Sequence, residues 1–153
     1  MIHVIMGLKG SGKTKKLIDS IKDCVAKANG DVVCIEYGQK LTYDLPHKVR
    51  LVDSKEYGIC NPDMLKGLLS GLHAGNYDIT NVYIDNLYKT IGTDRAAGEE
   101  FVAWCDKFAQ ANNIAAGACQ SSINRVAHFL GLAGALQAHN NINHRDFLLC
   151  LLY

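Results

Sequence analysis

The stretch Met1-Ile-His-Val-Ile-Met-Gly-Leu-Lys-Gly-Ser-Gly-Lys-Thr14 decides how the rest of the chain is interpreted. A short apolar, β-branched run stands directly before the pattern G-x-x-x-x-G-K-[ST], and helical periodicity begins at Lys13. Glycines let a backbone close around a phosphate because they adopt angles that side chains forbid, and successive N–H groups then form an anion-binding concavity. Between a strand and a helix, this pattern predicts a phosphate-binding loop.

The predicted loop is expected to contact both the phosphates and a metal ion. Lys13 is expected to reach the β- and γ-phosphates, and the Thr14 hydroxyl is expected to bind Mg²⁺. The positive end of the helix dipole near Lys13 adds to the attraction, and Lys9 adds a further positive charge inside the loop. The predicted cofactors are therefore Mg²⁺ and ATP, or another nucleoside triphosphate. The predicted nucleotide contacts are Gly7, Lys9, Gly10, Ser11, Gly12, Lys13 and Thr14.

Two further strands are predicted to end in a carboxylate. The run Val82-Tyr-Ile-Asp85 is apolar until its aspartate, and Asp31-Val-Val-Cys-Ile-Glu36 has the same form. Ligands of open α/β sheets bind outside the carboxyl ends of the strands, so both acids are candidates for a site. We predict that Asp85 holds Mg²⁺ through water, opposite Thr14.

Hydrophobic periodicity predicts alternating strands and helices along the chain. This alternation predicts an α/β fold, a three-layer sandwich with a mostly parallel central sheet and helices on both faces. Residues 90–99 are predicted to form a polar loop, and the apolar run at 147–153 is either a final buried strand or an exposed tail. The predicted strands are 2–6, 31–36, 48–53 (near an edge), 82–85 and 114–119, and the predicted helices are 13–28, 61–75, 99–112 and 123–138.

Composition bounds the class of protein. The 153 residues suggest one domain, residues 1–153, with a core over 1–113 and a charge-poor part over 114–153. The net charge of +1 gives no indication of nucleic-acid binding. The six cysteines show no C-x-x-C spacing, and no apolar run reaches the ~18 residues of a membrane span. We therefore expect a cytoplasmic protein with reduced cysteines and no membrane partner.

The two motifs, in this order, resemble those of the P-loop NTPases, specifically small single-domain proteins of the RecA-like and thymidine-kinase-like branch. Residues 1–113 also look like short bacterial ATP-binding proteins of unknown role. The resemblance implies a parallel α/β fold, with Lys13 and Glu36 as catalytic residues, Glu36 activating water. It also implies a γ-phosphate sensor at Gln120 or Ser121. Asn86 stands where many of these ATPases carry a catalytic glutamate, and the zinc-ribbon cysteines of thymidine kinases are absent.

Three function classes stay open at this stage. The first is an ATPase or nucleotide switch that transfers a phosphoryl group to water, in which Lys13, Thr14, Mg²⁺ and Asp85 stabilise the transferring group. The second is a nucleotide-binding module without intrinsic turnover, for which a protein partner or a second copy supplies an arginine. The third is a small-molecule or nucleoside kinase. Arg95 and Arg125 are the chain's own candidates for an arginine finger, and the histidines at 128, 139 and 144 lack the cysteine or acid pattern of a metal site.

Overall fold

The centre of the protein is a parallel β-sheet. The computed structural model describes residues 2–8, 10–112, 114 and 147–150, the last four as backbone. Within these residues the sheet has five strands in the order β1-β5-β4-β2-β3, and every neighbouring pair is parallel. The strands are β1 (Ile2–Ile5), β2 (Asp31–Glu36), β3 (Val49–Asp53), β4 (Ile79–Ile84) and β5 (Phe147–Cys150).

Helices cover both faces of this sheet. Side chains of successive strand residues point to opposite faces, and the buried residues fall accordingly into two clusters. Leu17 and Ile21 of the first helix pack with Ile5, Cys34 and Tyr83 on one face. Side chains of the other three helices pack with alternate strand residues on the opposite face, among them Val33, Ile35, Val82 and Ile84. The helices are α1 (Lys13–Lys27), α2 (Pro62–Gly75), α3 (Leu87–Ile91) and α4 (Arg95–Ala111).

This architecture confirms the predicted α/β class and is compatible with a three-layer sandwich. The strand bounds at 31–36 are as predicted, and β3 lies at the edge of the sheet. The alternative of an exposed tail at 147–153 is wrong for residues 147–150, which form a strand between β1 and β4. The predicted strand beyond Ile114 and the predicted helix at 123–138 lie outside the described residues.

The predicted loop at 90–99 is wrong over most of its length. Helix α3 continues to Ile91, and α4 begins at Arg95, where the side chain of Asp94 accepts a hydrogen bond from the backbone N–H of Ala96. Gly98, which suggested a loop, is buried inside α4 and faces the Tyr88 ring. A Cβ at this glycine would lie 2.7 Å from Tyr88 Cε1, so the small residue allows α3 and α4 to approach closely.

None of the helices within the described part of the chain is both long enough and apolar enough to cross a membrane.

Candidate functional site

The segment between β1 and α1 has the backbone form that its glycines permit. Gly10 and Gly12 have φ angles of 82° and 77°, in the left-handed region that other residues rarely adopt. A Cβ on Gly7 would lie 2.6 Å from Ser11 Oγ, so the first glycine allows the loop to fold back on itself. Gly10 and Gly12 therefore provide the left-handed backbone, and Gly7 provides the space for the close approach of Ser11.

The N-terminus of α1 is uncapped and basic. Gly12 is its N-cap residue, no described side chain caps its first turn, and that turn contains no acid. By contrast, the side chain of Asn61 caps α2 and that of Asp94 caps α4. A helix leaves its first N–H groups without intrahelical partners, and positive side chains at this end are unfavourable. Both features of α1 favour an anion at this position.

Lys13 is buried at the centre of the loop. Its side chain is 4% exposed, although a lysine is almost never fully buried without partners. Its Nζ donates hydrogen bonds to the carbonyl oxygens of Gly7 at 2.6 Å and Leu8 at 2.5 Å, and lies 3.3 Å from Ser11 Oγ. The loop carbonyls thus hold an ammonium group beside the uncapped helix end.

Thr14 meets Asp85 across the carboxyl edge of the sheet. The Thr14 hydroxyl donates to Asp85 Oδ1 at 3.4 Å, although the two residues are 71 positions apart. Asp85 follows β4, and its N–H donates to Ile35 O at 2.9 Å, which anchors it to β2. Its side chain is buried and also accepts a hydrogen bond from the amide of Asn86, a residue with a φ of 55°.

Glu36 ends the neighbouring strand and is buried. Its carboxylate oxygens accept hydrogen bonds from the backbone N–H groups of Lys40 and Leu41 at 3.1 Å, so the side chain organises the turn after β2. Burial raises the pKa of Glu36, the two backbone N–H groups oppose this shift, and the charges of Asp85 and Asp53 add to it. Glu36 and Asp53 end β2 and β3, and Asp85 follows β4, so the three acids share one edge of the parallel sheet.

The structure brings together most of the residues that the sequence predicted. The described loop residues, Gly7, Gly10, Ser11, Gly12, Lys13 and Thr14, surround one helix end, and Asp85 reaches it. Arg95 lies in the first turn of α4, where its Nε is 3.4 Å from the Glu99 carboxylate. The other predicted residues lie outside the described part of the chain: Lys9, Gln120, Ser121, Arg125, His128, His139 and His144.

Asp53 is a residue of this edge that the sequence motifs did not predict. It pairs with Glu36 in the register of β2 and β3, and its Oδ1 accepts hydrogen bonds from the N–H groups of Gly38 and Lys55. The signal was available, because Asp53 ends a predicted strand just as Glu36 and Asp85 do. The left-handed backbone of Asn86 had a weaker signal, since asparagine adopts positive φ more readily than most residues.

The described residues contain no group of three or more histidines, cysteines, aspartates and glutamates that could hold a metal ion. A magnesium site of the predicted kind does not need such a group. Mg²⁺ is usually bound through one or two protein oxygens together with waters and substrate phosphates. Thr14 Oγ1 and the Asp85 carboxylate are oxygen ligands of the type that Mg²⁺ prefers.

No protein-family model, curated protein or solved structure matches this chain.

Proposed function

We propose that this chain is a P-loop NTPase-like protein that binds Mg²⁺ and ATP, or another nucleoside triphosphate, at the loop Gly7–Thr14. The observation that carries the proposal is the approach of Thr14 Oγ1 to Asp85 Oδ1 at 3.4 Å. A phosphate-binding sequence motif predicts the first of these atoms, and an independent strand-end motif predicts the second. Their meeting is what a shared magnesium ion requires.

The residues have separate roles in this proposal. The backbone N–H groups of the loop and of the first turn of α1 would bind phosphate oxygens. Lys13 would exchange part of its bonding to the loop carbonyls for a phosphate oxygen, while Thr14 and Asp85 would hold Mg²⁺. When bound, the ion would neutralise charge that develops on the transferring phosphoryl group.

Hydrolysis requires a group that orients or deprotonates water, and Glu36 is our candidate. Its raised pKa and its coupling to Asp85 favour this role. A second function, nucleotide binding without intrinsic turnover, is favoured by a different observation. Both carboxylate oxygens of Glu36 are already hydrogen-bonded to backbone N–H groups, and the side chain is only 1% exposed.

Isothermal titration tests nucleotide binding directly. We expect ATP or GTP to bind in the presence of Mg²⁺, and the Lys13→Ala variant to bind about ten- to a hundredfold more weakly, because charged hydrogen bonds are lost. Lys22→Ala is the matched control, since Lys22 is an exposed lysine of the same helix. Equal affinities for the wild-type chain and the Lys13→Ala variant would overturn the proposal.

Phosphate release from the bound nucleotide separates the two candidate functions. Turnover that is lost in both Lys13→Ala and Glu36→Gln supports the hydrolase. Tight Mg²⁺-nucleotide binding with no phosphate release supports the binding module, and the candidate role of Glu36 as base is then withdrawn.

A further inference from the structure

A pocket lies at the carboxyl edge of the sheet, beyond β2, β3 and β4. Its volume is about 260 Å³. Its lining comes from the segments that follow these strands: Tyr37 after β2, Lys55 after β3, and Lys89 in α3. Ligands of open parallel sheets bind at this edge. The loop Gly7–Thr14 follows β1, which is on the other side of β4 in the strand order.

The lining of this pocket is positively charged. Two of its eight residues are lysines, and none is acidic. Neither Lys55 nor Lys89 forms an ion pair with a carboxylate in the described residues. Among the described residues no ion pair joins Lys55 to the adjacent Glu56, and Asp53 Oδ1 accepts hydrogen bonds from the backbone N–H groups of Gly38 and Lys55. The two ammonium groups are thus available to an external anion.

Thr90, which lines the pocket, is hydrogen-bonded to the buried Ser54. Ser54 donates its hydroxyl hydrogen to Glu36 O at 2.8 Å. Because a hydroxyl has a single hydrogen, the 3.1 Å contact between Ser54 Oγ and Thr90 Oγ1 must use the hydrogen of Thr90. Thr90 therefore offers the pocket acceptor lone pairs and no donor. Donors for an anion come from Lys55, Lys89 and the phenol of Tyr37.

We infer that this pocket binds a small anionic molecule through Lys55 and Lys89, independently of the loop Gly7–Thr14. The ligand class is a compound with a phosphate or carboxylate group. The part of the ligand that enters the pocket is small, since the pocket volume is about 260 Å³. The buried Ile59 side chain supplies apolar contact beside the charged groups.

Cys60 provides a readout that is specific for this pocket. It lines the pocket and its thiol is exposed, whereas Cys34 and Cys105 are buried and burial raises the pKa of the Cys105 thiol. A thiolate reacts with alkylating reagents, so Cys60 is expected to react faster than these buried cysteines. Peptide mass spectrometry follows its alkylation separately from that of every other cysteine.

The experiment measures the rate at which N-ethylmaleimide modifies Cys60 in the full chain. Inorganic phosphate, pyrophosphate and succinate are the probes, and glycerol is the uncharged control. For a dissociation constant on the order of 1 mM, a probe at about 10 mM should slow alkylation about tenfold. The phosphate and carboxylate arms show which anionic group is preferred. Protection should weaken as salt is added, because the lysines are exposed.

Three variants test the assignment. The double variant Lys55→Ala/Lys89→Ala should lose the protection, while Lys22→Ala/Lys48→Ala, which removes two exposed lysines elsewhere, should keep it. If the anions still protect Cys60 in Lys13→Ala, their binding to this pocket does not depend on the loop Gly7–Thr14. The inference is overturned if none of the three anions protects Cys60, if the Lys55/Lys89 double variant is still protected, or if Lys13→Ala abolishes protection.

Discussion

At the scale of single residues, the site is defined by buried charges whose positions the backbone fixes. Lys13 and Asp85 are 4% and 3% exposed, and each is hydrogen-bonded within its own segment. Burial of a charge is unfavourable unless partners compensate for it. Glu36 and Asp53 add two more carboxylates at the same edge. Burial raises the pKa of Glu36, and repulsion from the charges of Asp85 and Asp53 raises it further. Binding of a divalent cation beside Asp85 would relieve this repulsion.

The Asp85→Asn substitution tests this role because it removes the charge and nearly keeps the shape. We expect the variant to fold, but Mg²⁺ should strengthen its nucleotide binding much less than in the wild-type chain. Loss of a charged partner corresponds to about 1.5–3 kcal/mol, or about ten- to a hundredfold in the Mg²⁺-dependent part of the affinity. Titration calorimetry with and without Mg²⁺ measures this difference. Asp19→Asn, at an exposed position of α1, is the control, and an unchanged Mg²⁺ effect in Asp85→Asn contradicts the assignment.

The raised pKa of Glu36 predicts how the stability of the fold depends on pH. Its folded-state pKa is raised above the ordinary value of 4.5, so the folded protein holds this proton more tightly than the unfolded chain. The resulting stabilisation is complete below about pH 4.5 and is lost as the pH rises through the folded-state pKa. Urea unfolding of wild type and Glu36→Gln at a series of pH values should therefore show a smaller loss of stability towards neutral pH in the variant.

Wild type and Glu36→Gln are compared by the change of their unfolding free energy with pH, not by its absolute value. In Glu36→Gln, the introduced amide nitrogen would face the backbone N–H of Leu41, which lowers stability at every pH. Identical pH slopes for the two proteins would show that folding does not raise the pKa of Glu36.

At the scale of elements, the helices show two uses of glycine that the sequence does not distinguish. Gly98 of α4 faces Tyr88 of α3 at a distance that excludes a Cβ. Gly71 of α2 has open space, since no neighbouring atom lies within 4 Å of a Cβ built there. Both are inside helices, where alanine is favoured over glycine by about 1 kcal/mol.

Alanine at these two positions should therefore have opposite effects. We expect Gly71→Ala to stabilise the protein by about 0.5–1 kcal/mol, because it reduces the conformational freedom of the unfolded chain. Gly98→Ala should destabilise it by about 1–3 kcal/mol, because the new methyl group overlaps the Tyr88 ring. Chemical denaturation of the two variants measures both signs. Equal stabilisation by both substitutions would show that α3 and α4 do not pack closely.

The segment at 90–99, compared with β2 and α2, shows how far local sequence patterns predict this fold. Strands bounded by clear apolar runs, such as β2, and helices with recognisable ends, such as α2, follow from periodicity and capping. The loop predicted at 90–99 failed because Gly98 serves a tertiary contact with Tyr88, and local propensity contains no information about such a partner. The cap at Asp94 was the signal that could have placed the start of α4.

For the candidate site, the sequence predicted which residues lie close together but not which hydrogen bonds hold them. The loop motif points to Lys13 and Thr14, and the strand-end motif points to Asp85. The engagement of Glu36 by the N–H groups of Lys40 and Leu41 depends on the path of the turn after β2, which periodicity does not describe.

At the scale of the whole molecule, the position of β5 connects the two parts of the site. β1, which leads into the loop, has no direct pairing with β4, which leads into Asp85. β5 lies between them, with Leu148 opposite both His3 and Tyr83 in the two registers. The distance between Thr14 and Asp85 therefore depends on a strand contributed by residues 147–150.

Proline at position 148 should separate the two halves of the sheet. Proline removes a backbone N–H and is excluded from the interior of sheets, so we expect a loss of stability of about 3 kcal/mol or more, as for proline inside a helix. Hydrogen-exchange mass spectrometry should show that β1 loses protection while β2 and β3 keep most of theirs. Leu148→Val keeps the N–H and is the control. Unchanged exchange in β1 would contradict the pairing between β1 and β5.

The strand order also has a consequence for how the protein forms on the ribosome. Translation delivers β1, α1 and the segment containing Asp85 well before residues 147–150, and chains fold as their parts emerge. Until β5 emerges, the nascent chain can pair β2 with β3 and β4, but β1 lacks its neighbour in the finished sheet. The growing polypeptide therefore completes the sheet that joins β1 to β4 only after these late residues have been synthesised.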